Sequence, residues 1–345
     1  MTAMQQEQFH AAQKAFIVAD TFGIDAPKGF AVNGFADPNH VAIPKSDDNY
    51  VFRKEPLREA LAFLECPMNT GLFISGHKGT GKTSLITEVC ARLNWPVQQI
   101  TCTSRTEMTD LVGYHAMMST TPGAPPEMQF QYGPLALAMK EGHVLVLNEI
   151  DMMEPAELTG LNDILEGRPL VIAQNAGEVI HPHPAFRIVA TANSMGNGDE
   201  TGQYAGITMQ NMAAMDRYRF MTVDYPHEDV EAAILAKVAP ELGEAIHKAM
   251  IGVANEVREV FKGEQTLSVK TEYGEESVAM SEPISTRKMV LWAQLAVQFR
   301  SSTNAEGERN ALSYALHIAH LRRLNDYERE AILQLCNAIF PEWHD

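Results

Sequence analysis

The chain has 345 residues, 45% of them apolar, which is length enough for one large domain or two ordinary ones with a real core. Its formal net charge of -17, without any Lys/Arg-rich run, sets up a field that repels a phosphate backbone and disfavours nucleic acid as the main partner. No apolar run approaches the ~20 residues of a membrane span, "MTAMQQEQFH" has neither a basic start nor an apolar stretch, and four scattered cysteines lack CxxC spacing; the expectation is a soluble, cytoplasmic protein without a membrane partner, its cysteines buried as small hydrophobes.

Residues 5–22 place Phe9, Ala12, Phe16 and Ala19 on one helical face, and Gly and Pro recur between residues 23 and 44, which predicts a helix and then an extended arm. A helix over "EPLREALAFLEC" leads to an apolar strand at 72–75, the loop "GHKGTGKT" and a helix to about residue 93. Further strands are predicted at "PVQQITC", "HVLVLNE", "FRIVATAN" and "RFMTVDY", with helical segments between most of them, so the fold class is α/β with a parallel sheet covered on both faces. "LVIAQNAGEVIHPH" reads as a hairpin, 170–173 against 178–181 around Asn175, Ala176 and Gly177. Beyond Pro226 the apolar residues Leu242, Ile246, Met250, Val253, Val257 and Phe261 recur at helical spacing and predict an all-helical domain. One exception within 263–283, "TLSVKTEYGEESVAMS", alternates about Tyr273 and Gly274 as a hairpin does. The expected boundaries are an N-terminal helix and arm over 1–49, an α/β nucleotide-binding core over 50–225 and a helical domain over 226–345.

"GHKGTGKT" matches G-x-x-x-x-G-K-[ST] in full. Gly76, Gly79 and Gly81, with His77, Lys78 and Thr80 between them, let backbone N–H groups turn toward phosphate oxygens without side-chain obstruction. Lys82 is placed to reach the β- and γ-phosphates, Thr83 offers a hydroxyl to Mg²⁺, and with Ser84 it opens a helix whose positive dipole end faces the anion. ATP and Mg²⁺ are the expected cofactors. About 65 residues further on, a buried strand ends in Asn148 and Glu149, where a carboxylate in a parallel sheet can orient a water for attack on the γ-phosphate. The strand "FRIVATAN" ends in Thr191 and Asn193, whose amide can bond the γ-phosphate or that water, although Asn at a strand end is by itself common turn chemistry. His181, His183, His317 and His320 invite a metal reading, but no Cys or carboxylate clusters with them.

In the order phosphate loop, strand-Glu, strand-Asn, "AAMDRYRF" and "ISTRKMVLW", the chain resembles AAA+ ATPases of the MoxR group. Within it, "FGID", "ARLNWP", "DLVG", "HPHPAFRIVATAN", "GDETGQYAG" and "MDRYRF" are similar to the CobS-type ATPase subunit of aerobic cobaltochelatase, with CbbQ and NorQ proteins as relatives, over residues from about 22 to 340. The resemblance implies an AAA+ core followed by a helical lid, with Gly76 to Thr83 as the Walker A loop, Glu149 as catalytic glutamate, Asn193 as sensor 1, Arg217 as arginine finger with Arg219 as a close competitor, and Arg287 as sensor 2. Most Walker B strands of this kind end in Asp-Glu. Here Asn148 keeps an acceptor for a metal-bound water but loses the charge, a change that can cost about 10- to 100-fold in metal affinity or activity, so slow turnover is an expectation.

The resemblance further implies a homo-oligomeric, hexameric, chaperone-like ring that remodels a partner with a von Willebrand A domain, cobalt insertion being the work of a separate subunit. It places the segment "HAMMSTTPGAPPEMQFQYGP" in an insertion of the second helix, its Met and Phe residues either pore contacts or buried packing, and the hairpin at 170–181 near the ring pore; since 114–132 and 170–181 interrupt the core without giving a residue to the phosphate chemistry, both are expected to face the client. Two other classes stay open: a nucleotide-dependent assembly scaffold with slow hydrolysis, and a DNA-directed AAA+ motor of a defence system, which the acidic balance counts against.

Overall fold

The helix expected over 5–22 is a strand in much of its described part. In the computed structural model, which describes residues 13–119, 125–196, 198, 206–271 and 274–345, β1 (Gln13–Ile17) pairs antiparallel with β2 (Ala31–Phe35), and only Val18–Phe22 is helical. Phe9 and Ala12 lie outside the described residues. The cause is tertiary. The Phe35 N–H donates to the Leu93 carbonyl (2.9 Å), Asn94 Nδ2 donates to the Phe35 carbonyl (3.0 Å), and a Cβ on Gly34 would fall 2.2 Å from the Leu93 oxygen, so the hairpin seats on the chain through a close backbone approach.

Contacts divide the chain into two compact units, Met1–Asp47 with Phe52–His77 and Gly81–Val223, and Asp48–Val51 with Lys78–Thr80 and Asp224–Asp345. Along the first, β3 (Gly71–Ser75) and β4 (Val97–Thr101) enter the main sheet, β5 (Gly113–Met118) and β6 (Glu127–Tyr132) form an antiparallel hairpin, and β7 (Val144–Asn148) returns to the sheet. A second hairpin, β8 (Leu170–Ile172) with β9 (Glu178–Ile180), precedes β10 (Arg187–Ala192) and β11 (Tyr218–Thr222). The sheet is parallel, in the order β11–β3–β10–β7–β4. Its three central strands are buried at every position because both faces are covered, while the edge strand β4, "VQQIT", is only half-buried.

Register decides where the chemistry comes out. Ser75 pairs with Ala192 and Leu147 with Ala190, so the residues that follow these strands, Gly76, Asn193 and Glu149, emerge together at the carboxyl end of the sheet, where open α/β sheets bind ligands. Arg217 emerges at the opposite end: its carbonyl accepts from the Gly71 N–H (3.0 Å), and Tyr218 pairs with Gly71. The length of β3, roughly 15 Å at ~3.3 Å per residue, separates Arg217 from the loop of its own chain.

The second unit is helical, Glu228–Val238, Gly243–Lys262, Thr286–Gln298, Ala311–Ala319 and Asp326–Ile339, around a core that includes Met250, Trp292 and Ile332. Its hairpin, β12 (Leu267–Thr271) with β13 (Gly274–Val278), falls where alternation predicted one; Tyr273 lies outside the described residues. Arg258 and Glu231 form a buried bidentate pair there, both contacts 2.8 Å, and Glu231 also accepts from the Thr286 hydroxyl (2.6 Å) while Arg258 Nε donates to the Ile284 carbonyl (2.8 Å). Cys90, Cys102 and Cys336 are buried, but Cys66, just past the helix Lys54–Glu65, is exposed, against expectation. Among the described residues no helix is long and apolar enough to cross a membrane.

Candidate functional site

The loop after β3 turns through three glycines, Gly76, Gly79 and Gly81, at φ +150, +79 and +90, values that a side chain at these positions would make costly. Gly81 caps the helix Lys82–Arg92, so the uncapped N–H groups of its first turn face the space the loop encloses. His77 and Lys78 are half-buried and exposed, Thr80 is buried, and Ser84 lies on the exposed side of the first turn. The Arg53 guanidinium lies 3.9 Å from where a Gly81 Cβ would stand; it brings a cation to the loop that no motif spacing pointed to.

Lys82, only 8% exposed, donates from Nζ to the carbonyls of Gly76 (2.7 Å) and His77 (3.0 Å) and to Asn193 Oδ1 (2.9 Å). The other end of the same amide, Asn193 Nδ2, donates to Glu149 Oε2 at 2.6 Å. Residues of the loop, of the β10 end and of the β7 end are thereby joined in one chain of contacts, Lys82–Asn193–Glu149. Beside it, Thr83 Oγ1 donates to Asn148 Oδ1 (2.8 Å), and Thr191 Oγ1 donates to the same oxygen (3.2 Å). With both hydroxyls aimed at Asn148, a lone pair of Thr83 remains for a metal ion. The donor set fits a hard divalent cation held by Thr83 and by nucleotide phosphates, with Asn148 orienting Thr83.

Glu149 adopts a left-handed backbone, φ 55 and ψ 42, an uncommon state for a residue with a side chain and one that concentrates at functional sites. It turns the chain into the short 3-10 helix Ile150–Met152, which brings Asp151 back beneath the strand ends. Asp151 is fully buried; its Oδ2 accepts from the Asn193 N–H (2.9 Å), the Ser194 N–H (3.2 Å) and the Ser194 hydroxyl (3.3 Å), while Oδ1 has no partner among the described residues. Burial pushes its carboxyl up, and the hydrogen bonds from Asn193 and Ser194 oppose that. The Cys102 thiol is pushed up to about 12, first by burial and then by the charges of Asp151 and Glu149, which keeps it unreactive. Asp151 escaped the sequence reading because its partners are mostly backbone N–H groups, which leave no trace in residue spacing.

The expected cations divide. Arg217 donates from Nε (2.9 Å) and Nη2 (2.6 Å) to Glu166 Oε1 and from Nη1 to the Ala213 carbonyl; Arg168 bonds the same Glu166 at 2.9 Å. Arg219 donates to the Cys66 carbonyl (2.7 Å). Arg287, next to the helix-capping Ser285, is exposed and makes no hydrogen bond or ion pair with another described residue. Among the described residues no group of three or more His, Cys, Asp or Glu could hold a metal; His183 packs its ring against Gly142, and His320 is buried. Both Met117 and Met128, facing each other across the β5–β6 hairpin, are more than 60% exposed, while Phe130 nearer its base packs on the core.

A family model for the AAA domain of the dynein-related subfamily matches residues 71–205, and one for the CbbQ/NirQ/NorQ C-terminal domain matches residues 231–338. The aerobic cobaltochelatase subunit CobS of a Sinorhizobium species is 30% identical over 322 residues, 92% of this chain and 88% of that protein. An uncharacterized protein of Staphylococcus saprophyticus is 28% identical over 252 residues, 73% of this chain and 87% of that protein. A solved structure of a candidate ATPase from Cytophaga hutchinsonii aligns at 12% identity over 81% of this chain and 87% of that one, with a TM-score of 0.40, below the level at which a likeness bears on the fold.

Proposed function

Since the chain belongs to the AAA+ ATPase family that includes the CobS subunit of aerobic cobaltochelatase, we propose that it is a Mg²⁺-ATP-driven, hexameric ring motor that remodels a partner protein. The observation that carries the reading is the contact chain Lys82–Asn193–Glu149 at the carboxyl end of the sheet. In this reading Gly76, His77, Lys78, Gly79, Thr80 and Gly81 wrap the phosphates, Lys82 exchanges its carbonyl and amide acceptors for β- and γ-oxygens, and Ser84 completes the first helical turn beside them. Thr83 would hold Mg²⁺, which when bound neutralises phosphate charge, and Asn148 acts on it through Thr83. Glu149 orients the attacking water, with Asn193 reporting the γ-phosphate to it. Lys82→Ala should lose nucleotide affinity, whereas Glu149→Gln should keep it while hydrolysis stalls; a Glu149→Gln chain that turns over at the parent rate would remove the water-orienting assignment.

Arg217 supports the ring. A cation some 15 Å along the sheet from its own loop is of no use to its own nucleotide, but it can complete the site of a neighbour, which makes hydrolysis depend on assembly. Arg287, in the helical segment 226–345, keeps the sensor 2 role that the family resemblance gives it. The client side is assigned to the hairpins β5–β6 and β8–β9: Tyr114, Met117, Met128, Val171 and Val179 are exposed, and Met side chains adapt to varied partners. The client is taken to be a von Willebrand A domain protein, in a metal-insertion complex of the kind the CobS name denotes. Capture from cells in the presence of ATP, followed by identification of the bound chain, tests that assignment.

One observation favours a slower variant of the same reading, a scaffold that assembles on ATP and seldom hydrolyses it: Asn148 is neutral, and its oxygen already accepts from two hydroxyls. Asn148→Asp should sharpen the Mg²⁺ dependence of hydrolysis; an unchanged titration would place Asn148 outside the ion's influence.

A further inference from the structure

We infer that Asp151 is a positioning residue for ATP hydrolysis: it fixes the backbone at Asn193, and so holds the Asn193 amide in place between Lys82 and Glu149. The inference rests on the roles given above to Asn193 and Glu149.

The geometry is a two-point hold. Glu149 takes the side chain of Asn193 (2.6 Å), and Asp151, two residues on, takes its backbone N–H (2.9 Å) and that of Ser194 (3.2 Å). One contact alone would leave the amide free to swing about the other. Together they set both position and direction, and the left-handed turn at Glu149 is what lets two residues so close in sequence reach the same segment from two sides. The backbone carbonyl of Asp151 extends the hold, accepting from the Thr208 N–H (2.9 Å) and hydroxyl (3.1 Å).

A carboxyl at this place carries costs of its own. Asp151 is fully buried and leaves Oδ1 without a partner among the described residues, two costs that an apolar side chain of similar size would avoid. What an apolar side chain cannot do is accept two consecutive N–H groups at the end of a buried strand. Unpaired, each would be stripped of water with nothing in exchange, so the segment would shift to find other partners and take Asn193 with it. A displacement on the order of 1 Å at a group that aligns a reacting water is worth about 100-fold in rate.

The test uses the full chain, with steady-state hydrolysis read beside the affinity for a fluorescent ATP analogue. Asp151→Asn keeps an amide oxygen for both N–H groups and should keep kcat within about 2-fold. Asp151→Ala removes the acceptor and should lower kcat by roughly 10- to 100-fold with analogue affinity little changed. In an Asn193→Ala background the same Asp151→Ala change should cost nothing further, since there is no amide left to position. An equal loss in that background overturns the inference, because a general loosening of the fold would act in either. An Asp151→Asn chain that binds nucleotide but is as inactive as Glu149→Gln also overturns it, by making the carboxylate a reacting group, and this outcome decides even if Asp151→Ala does not fold. If Asn193→Ala hydrolyses at the parent rate, the role of Asn193 itself fails, a separate result from the failure of Asp151.

Discussion

The Tyr132 hydroxyl donates to both carboxylate oxygens of Glu178, at 2.9 and 2.8 Å, and so ties the base of the β5–β6 hairpin to the turn end of β8–β9. Lys140 completes the tie, its Nζ 3.2 Å from the same hydroxyl and 4.3 Å from the Tyr132 ring centroid. Neither hairpin is joined to the main sheet by strand pairing, so this contact makes them a mechanical pair. Tyr132→Phe should speed amide exchange in 113–118 and in 178–180 together, by roughly 3- to 10-fold for a charge-assisted bond of about 1 kcal/mol. Acceleration in one hairpin alone would show that they move separately.

Placing Arg217 and Glu149 at opposite ends of one sheet has a consequence for mixed assemblies. Arg217→Ala and Glu149→Gln chains should each be nearly inactive, and mixing them should restore part of the hydrolysis, because some interfaces then join an intact Glu149 to an intact Arg217. No recovery at any ratio would argue that Arg217 does not act on a neighbour.

The buried pair of Arg258 and Glu231 should show strong coupling. Arg258→Met or Glu231→Leu alone leaves a charge and its hydrogen-bonding groups stranded in the helical core, at about 3–5 kcal/mol, whereas the two changes together should cost far less. Urea unfolding of the two single variants and the double one checks this, and additive losses would show that the pair is not coupled.

Three histidines make the fold sensitive to acid, and burial lowers the pKa of one of them, His183, below the usual histidine value. His143 is held down to about 4 by burial, with His40 and His183 adding to it, and His320 is held down to about 4 mainly by burial and next by Lys288. Both are neutral in the fold, while the unfolded chain protonates near 6.5, so the unfolded state binds more protons between these values. Stability should therefore fall as pH drops from about 6.5 to about 4 and level off below, with each residue contributing on the order of 3 kcal/mol at most. Asp151, with its carboxyl pushed up, has the opposite slope. Replacing His143 by Gln should remove its share of the fall; an unchanged melting-temperature profile would exclude it as a source.

What could be read from the residues follows from how each feature is encoded. The strands around Phe73, Val146 and Val189 are buried at every position and mostly apolar because they are covered on both faces, and a loop of three glycines before Lys82 is a local requirement of backbone geometry, so both are legible in a short window. The strand Gln13–Ile17 was not: Phe16 and Ala19 fit a helical period, and what makes a strand is the distant segment Ala31–Phe35 seated on Leu93. Glu166 is a comparable case, a surface carboxylate in sequence that becomes the partner of Arg217 only when β11 has been placed in the sheet.

The left-handed turn at Glu149 sets thermal robustness against the role proposed for its carboxylate at one position. A glycine there would keep the turn without the clash between Cβ and carbonyl that costs an ordinary residue about 1–2 kcal/mol, and it would abolish the carboxylate proposed above to orient the attacking water. On that proposal, a screen that rewarded only resistance to heat would be drawn toward an inert protein at this residue, and any stabilised version has to find its gains elsewhere.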